Sequence, residues 1–178
     1  PVISEIEFAA RYKGVAKTIC ITGSNGKTTT TSLIYKIMRD AGRKVSLGGN
    51  IGESFAYSVA TEKNFWYVLE LSPFHLAGMT KFRADVAVLM SITQNQSSAD
   101  AFIYSADDDM TRQMLDKMDS SLRARQLPFA INTAIASGDG DAVLEGYSFT
   151  ASVGKQSVTI DTRKMQIEGM HNVYNAMA

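Results

Sequence analysis

The residues with the clearest capacity for chemistry lie in Ile19-Cys20-Ile21-Thr22-Gly23-Ser24-Asn25-Gly26-Lys27-Thr28-Thr29-Thr30-Thr31. An apolar run enters a short Gly-containing turn, and Lys27-Thr28 then open a helical pattern. This arrangement holds a nucleoside triphosphate. Glycines let backbone N–H groups approach the phosphates, the Lys27 ammonium reaches the β/γ oxygens, and the Thr28 hydroxyl can ligate Mg²⁺ at a helix N-terminus whose dipole favours anions. The spacing departs from the strict P-loop pattern. Counting back from Gly26, the first glycine would fall at position 21, which is Ile21, so the loop is a shorter variant. The bland alternative is a Gly-rich turn joining strand to helix. The order strand, Gly-Lys-Thr, helix favours phosphate, with Gly23, Ser24, Asn25, Gly26, Lys27, Thr28 and Thr29 as its contacts.

Three further positions carry polar chemistry. Glu70 interrupts the apolar run Phe65–Leu71 at its carboxyl end. That edge is where open α/β sheets place ligands, and a carboxylate there can share Mg²⁺ with Thr28. Asn50 sits between glycines in Gly48-Gly49-Asn50-Ile51-Gly52. It reads equally as a turn residue tolerant of positive φ or as an amide donor to a phosphate or acyl oxygen. Asn172 and Asn175 share a face at a helix start, and an amide offers the paired donor and acceptor that match an adenine edge; either could also be an N-cap.

The elements that position these groups alternate. Ser4 and Glu7 read as a capping box opening a short helix to about Tyr12. Strands are expected at Thr18–Thr22, Lys44–Leu47, Phe65–Leu71, Ala84–Ile92, Ala101–Tyr104 and Leu127–Ile131. Helices are expected after Lys27, after Ser72-Pro73, and from Asp109 to about Ser120. The fold class is α/β: P-loop-containing, a doubly wound, mostly parallel sheet flanked by helices. Beyond Gly140 a hairpin, Tyr147–Val153 with Ser157–Asp161, and a third strand over Thr162–Ile167 form a small antiparallel β appendage. The tail from Gly169 begins a helix.

Composition narrows the classes. The chain has 178 residues, 45% of them hydrophobic, with 18 basic and 18 acidic side chains. Zero net charge gives no case for nucleic acid or a membrane surface. The single cysteine, Cys20, cannot form an intrachain disulfide and fits a reducing cytoplasm. The chain opens on Pro1 and stops inside a helical pattern, so it is expected to be a piece of a longer protein.

Four segments in order carry a family resemblance: Thr22–Thr29, Gly48–Gly52, Leu69-Glu70-Leu71-Ser72-Pro73-Phe74-His75-Leu76, and His171-Asn172-Val173-Tyr174-Asn175-Ala176. Together they resemble the central ATPase domain of the Mur ligases, and the second and third resemble the D-glutamate-adding branch. The resemblance covers most of Val2 to Asp108 and the last ten residues. It implies that residues 1–178 are a central ATP-binding domain whose N-terminal UDP-binding and C-terminal partners are absent. It also implies a bacterial cytoplasmic ligase of peptidoglycan synthesis, acting as a monomer with ATP and Mg²⁺. Such an enzyme joins D-glutamate to UDP-N-acetylmuramoyl-L-alanine through an acyl-phosphate. Carried over by motif, Lys27 stabilises the transferred phosphoryl group, Thr28 and Glu70 hold Mg²⁺, Asn50 contacts the substrate, and Asn172 and Asn175 hold adenine. The fragment alone is expected to be inactive.

Two departures stand out. Ser72-Pro73-Phe74-His75 replaces the family's Ser-Ser-Phe-Gln, which removes a donor; His75 is expected to be a hydrogen-bonded surface residue outside the site. The family's Asp-His pair and the Lys beyond it are missing, since Thr93 is followed at once by Gln94-Asn95-Gln96. Two stretches of a longer sequence are expected to meet there, with no peptide bond between Thr93 and Gln94. Of the competing readings, a folylpolyglutamate synthetase-like ligase shares the loop but not Gly-Gly-Asn-Ile-Gly. A GTPase would need an Asn-Lys-x-Asp segment that the sequence lacks. A stand-alone nucleotide-binding module would bind without chemistry.

Overall fold

The computed structural model describes residues 2–23, 25–88, 95–118, 122–131, 135, 140–166 and 168–178. In chain order the elements are α1 (Glu5–Ala10), β1 (Lys17–Ile21), α2 (Lys27–Asp40), β2 (Val45–Gly49), α3 (Phe55–Thr61), β3 (Trp66–Glu70), α4 (Pro73–Ala77), β4 (Val86–Val88), β5 (Ala101–Ser105), α5 (Asp109–Met118), β6 (Arg125–Ala130), β7 (Gly140–Glu145), β8 (Ser148–Val153), β9 (Gln156–Asp161) and α6 (Met170–Met177). The strands form one sheet in the order β2-β3-β1-β4-β5-β6-β7-β8-β9. Pairing is parallel from β2 through β7 and antiparallel for β7–β8 and β8–β9.

Strand periodicity explains the layers. Ile21, Val68 and Val88 face Ile34, Tyr35 and Met38 of α2. Their neighbours Cys20, Leu69 and Ala87 face the opposite cluster, which takes Ile6 and Ala9 from α1 and Phe55 from α3. Both faces are covered, which is why the central strands read as continuous apolar runs rather than alternating ones. A third cluster, built on Phe129, Ala142, Phe149 and Met177, seats α6 over the far half of the sheet.

The structure corrects several expectations. The antiparallel hairpin of β8 and β9 extends the main sheet as expected, but the strand that joins it on, β7, is absent from the sequence reading; it pairs parallel with β6 and makes the sheet continuous. The expected third strand over Thr162–Ile167 is instead a 3-10 turn at Thr162–Lys164. Asp161 accepts the Arg163 N–H at 3.0 Å, and Thr162 ties back to the Tyr147 carbonyl through its N–H and hydroxyl. Helix α3 was also missed.

The expected capping box at α1 is half present. The Ser4 hydroxyl accepts the Glu7 N–H at 3.2 Å. Glu7 does not reach back, because the Ser4 N–H is already donated to Gly78 O at 2.9 Å. The Glu7 carboxylate accepts instead from the N–H groups of Thr80, Lys81 and Phe82 at 3.0, 2.9 and 2.8 Å. Residues 89–94, and with them the Thr93–Gln94 junction, lie outside the described residues.

Candidate functional site

The site is built where β1 hands over to α2. Leu71 donates its N–H to Ile21 O at 2.7 Å and Thr22 donates its own to Val88 O at 3.2 Å, so the loop starts clamped between β3 and β4. The buried Thr22 hydroxyl donates to Leu71 O at 3.1 Å. Gly26 is the N-cap of α2 at φ 76, with no side chain to cap the first turn. A 14-residue helix therefore presents its N-terminal dipole and N–H groups to the loop, as an anion site requires. Lys27 folds over this loop and donates to Gly23 O at 2.5 Å. Asn25 and Thr29 are exposed beside it. Ser24 lies outside the described residues.

Glu70 ends β3 one strand away, at 1% exposure. Its two oxygens have different partners. The Thr28 hydroxyl donates to Oε2 at 2.9 Å, and the Asn50 amide donates to Oε1 at 3.0 Å. The glycine-rich segment makes this possible by packing against β3. Gly49, at φ 92, lies so close to the Glu70 carbonyl that a Cβ would overlap it, and Asn50 donates its N–H to that carbonyl at 2.9 Å. The structure thus brings Gly26, Lys27, Thr28, Asn50 and Glu70 together. A hydroxyl and a carboxylate are the hard oxygen donors that suit Mg²⁺, which usually takes one or two protein ligands and completes its shell with phosphate and water. Among the described residues there is no cluster of three or more His, Cys, Asp or Glu side chains that could form a self-sufficient metal cage.

Of the two asparagines of α6, Asn175 reaches the same loop, and Asn172 stands behind it, outside the wall of the adjoining cleft. Asn175 accepts from the Thr30 hydroxyl at 3.3 Å and donates to Asn172 Oδ1 at 3.3 Å. Its carboxamide sits over Gly26 so closely that a Cβ there would overlap it. Asn172 donates to Glu168 O at 2.7 Å. A cleft of about 150 Å³ opens between the loop and α6, with Val88, Ser105, Phe129 and Tyr174 in its wall. The sequence reading missed these four. Only the position of Ser105, at the carboxyl end of a strand, could have flagged one of them.

His75 stays out of the site: its Nδ1 accepts the Ser72 N–H at 3.2 Å and completes a capping box on α4. Burial pushes the Cys20 thiol well above the ordinary thiol range, which makes it a packing group rather than a nucleophile.

A family model described as the Mur ligase middle domain matches residues 21–96. The UDP-N-acetylmuramoylalanine--D-glutamate ligase of Bacteroides fragilis is 44% identical over 200 residues, covering 100% of this chain and 44% of that protein. The chain belongs to the Mur ligase family. The ligase of the same name from Bacteroides thetaiotaomicron is 42% identical and is also covered to 44%. The relatives thus carry the name of the D-glutamate-adding branch, MurD, as the Gly-Gly-Asn-Ile-Gly and Leu-Glu-Leu-Ser segments led us to expect. This Mur ligase chain spans less than half the length of the curated relatives it matches. The alignment with the B. fragilis protein runs over 200 positions against the 178 residues here, so that relative carries residues with no counterpart in this chain.

Solved structures agree on the fold. The Acinetobacter baumannii UDP-N-acetylmuramoylalanyl-D-glutamyl-2,6-diaminopimelate--D-alanyl-D-alanyl ligase superposes with TM-score 0.69 at 18% identity, over 97% of this chain and 43% of that one. E. coli FolC in complex with DHPP and ADP superposes with TM-score 0.52 at 15% identity, over 88% and 52%. Among the described residues no helix is long and apolar enough to cross a membrane.

Proposed function

We propose that this chain is the central ATP-binding domain of a D-glutamate-adding Mur ligase, the unit that holds ATP and Mg²⁺ for the whole enzyme. One observation carries the reading: the uncapped start of α2, the Lys27 ammonium, and the Thr28–Glu70–Asn50 cluster converge at the carboxyl edge of parallel strands. Mg-ATP, when bound, supplies an activated phosphoryl group for transfer to the substrate carboxylate. Gly23, Ser24, Asn25, Gly26 and Thr29 cradle the phosphates with backbone and side-chain donors. Lys27 exchanges the Gly23 carbonyl for a phosphoryl oxygen and spreads the charge that develops there. Thr28 and Glu70 hold the cation. Asn50 orients Glu70 and presents its amide toward the acyl end of the substrate. Asn172 and Asn175 read the base.

The whole-enzyme reaction, joining D-glutamate to UDP-N-acetylmuramoyl-L-alanine, is supported by the names of relatives more than 40% identical; a cytoplasmic setting is part of the same proposal. FolC contributes only fold-level likeness, so a folylpolyglutamate synthetase-like role is the weaker reading. Calorimetric titration of the chain with Mg-ATP is expected to show one site per chain, with GTP binding more weakly because its edge reverses donor and acceptor. Absence of ATP binding overturns the proposal. In the full-length ligase, phosphate release should require both D-glutamate and the UDP-linked substrate; release driven by a folate and glutamate instead would favour the alternative.

A further inference from the structure

Asp107 stands just past the end of β5, beyond any residue assigned a role above. Its Oδ2 accepts two hydrogen bonds, from Ile131 N, just past the end of β6, at 2.6 Å, and from the Tyr174 hydroxyl of α6 at 2.8 Å. One carboxylate oxygen therefore ties the carboxyl ends of two strands to the final helix. Tyr174 is also fixed by its ring, which meets Phe129 edge-on at 63° with centroids 6.3 Å apart. Both rings line the cleft beside the phosphate loop.

The residue after Tyr174 is Asn175, whose carboxamide rests on Gly26 with no room for a Cβ between them. Thr30 of α2 donates to that carboxamide at 3.3 Å. This turn of α6 therefore sets where the Asn175 carboxamide stands over the loop.

We propose that Asp107 is a positioning residue for nucleotide binding, fixing through the Tyr174 hydroxyl the turn of α6 that carries Asn175 over the phosphate loop. This rests on the nucleotide site proposed above. Asp107 is not part of the cleft wall; it acts on the site through Tyr174 and the Asn175 that follows it. A hydrogen bond to an ionised carboxylate is stronger than a neutral one, and misplacing a recognition group by an ångström is enough to lose affinity. The pair should thus matter for ligands that carry a base and not for the phosphates alone.

The test compares Mg-ATP with Mg-tripolyphosphate by calorimetry on the full-length ligase, as wild type, Tyr174→Phe, Asp107→Ala, Asp107→Asn and the double variant Tyr174→Phe/Asp107→Ala. Tyr174→Phe keeps the ring and its packing on Phe129, so the fold is retained. It is expected to weaken ATP about fivefold to tenfold, the worth of one hydrogen bond, and to leave tripolyphosphate within about twofold. Asp107→Ala should match it, and the double variant should lose no more than the worse single, as residues acting through one another do. Asp107→Asn keeps an oxygen acceptor and should recover most of the affinity. Unchanged ATP affinity in Tyr174→Phe overturns the positioning role alone, as does an equal loss for tripolyphosphate. A wild-type ligase that binds neither ligand overturns the nucleotide site itself.

Discussion

Glu7 and Glu70 are both carboxylates almost wholly removed from solvent, at 2% and 1% exposure. Their partners differ in kind. Glu7 is held by three backbone N–H groups of one loop, with Arg11 at 3.7 Å. Backbone donors cannot turn away, so this carboxylate is committed to the fold. Glu70 is held by a hydroxyl and a side-chain amide. Both can rotate toward a cation or a phosphate and leave its oxygens available. A buried acid with fixed donors is architecture; one with exchangeable donors at a strand's carboxyl edge is equipped for chemistry.

The largest effect should come from Glu7→Ala. It leaves the Thr80, Lys81 and Phe82 N–H groups without their acceptor, that of Phe82 in a buried bond and the other two in part-buried ones, so a loss of about 2–4 kcal/mol in urea denaturation is expected. A loss below about 1 kcal/mol would erase the distinction between the two glutamates. Next, Lys27→Ala should weaken ATP about tenfold to a hundredfold, the worth of a charge-assisted contact. Its unfolding free energy should move by less than about 0.5 kcal/mol. An unchanged ATP affinity in calorimetry would sink the phosphate-loop assignment.

Glu70→Gln should remove most of the strengthening of ATP binding by Mg²⁺, about tenfold, with far less effect on stability than Glu7→Ala. Equal Mg²⁺ dependence in the variant and the wild type would make Glu70 another structural acid. The gentlest test is pH. Burial pushes the Glu7 carboxyl upward, but the N–H groups of Lys81, Thr80 and Phe82 and the Arg11 charge outweigh it, leaving it below the ordinary 4.5. The folded state then binds fewer protons than the unfolded one. The stabilisation is complete above about pH 4.5 and fades as pH falls through the lowered folded value. Glu7→Gln should flatten that part of the profile, and an identical acid limb would refute the account.

Much of this could be read from the sequence, and the misses have physical causes. The α2 start and Glu70 gave local signals: glycine before Lys-Thr, and a charge closing an apolar run. Helix α3 gave none strong enough. It has seven residues with aromatic and β-branched members, and depends on Ser54 accepting the Tyr57 N–H, on the Glu5 carboxylate taking the Ala56 N–H, and on packing against α1. Strand β7 begins on Gly140, which reads as a turn; in the sheet its missing side chain lets Ser152 O approach. Glu7 satisfied a local pattern, yet partners 73 to 75 residues away claimed its carboxylate. The Asp107–Tyr174 contact spans 67 positions and follows no spacing rule.

The strand order also says when the site can come into being. Strands β4 to β9 lie side by side in the sequence order in which they are made. β1, which carries the loop, sits between β3 and β4, with partners that come much later in the chain. Asn175 closes over the loop from 145 residues beyond Thr30. Contacts of such separation form late, because their loop-closure entropy must be met before they reward it. During refolding, amide protection should therefore appear in β7–β9 before it appears at β1 and the start of α2. Nucleotide should accelerate none of the early phase, and pulse-labelled hydrogen exchange with and without Mg-ATP would show whether the binding loop matures last.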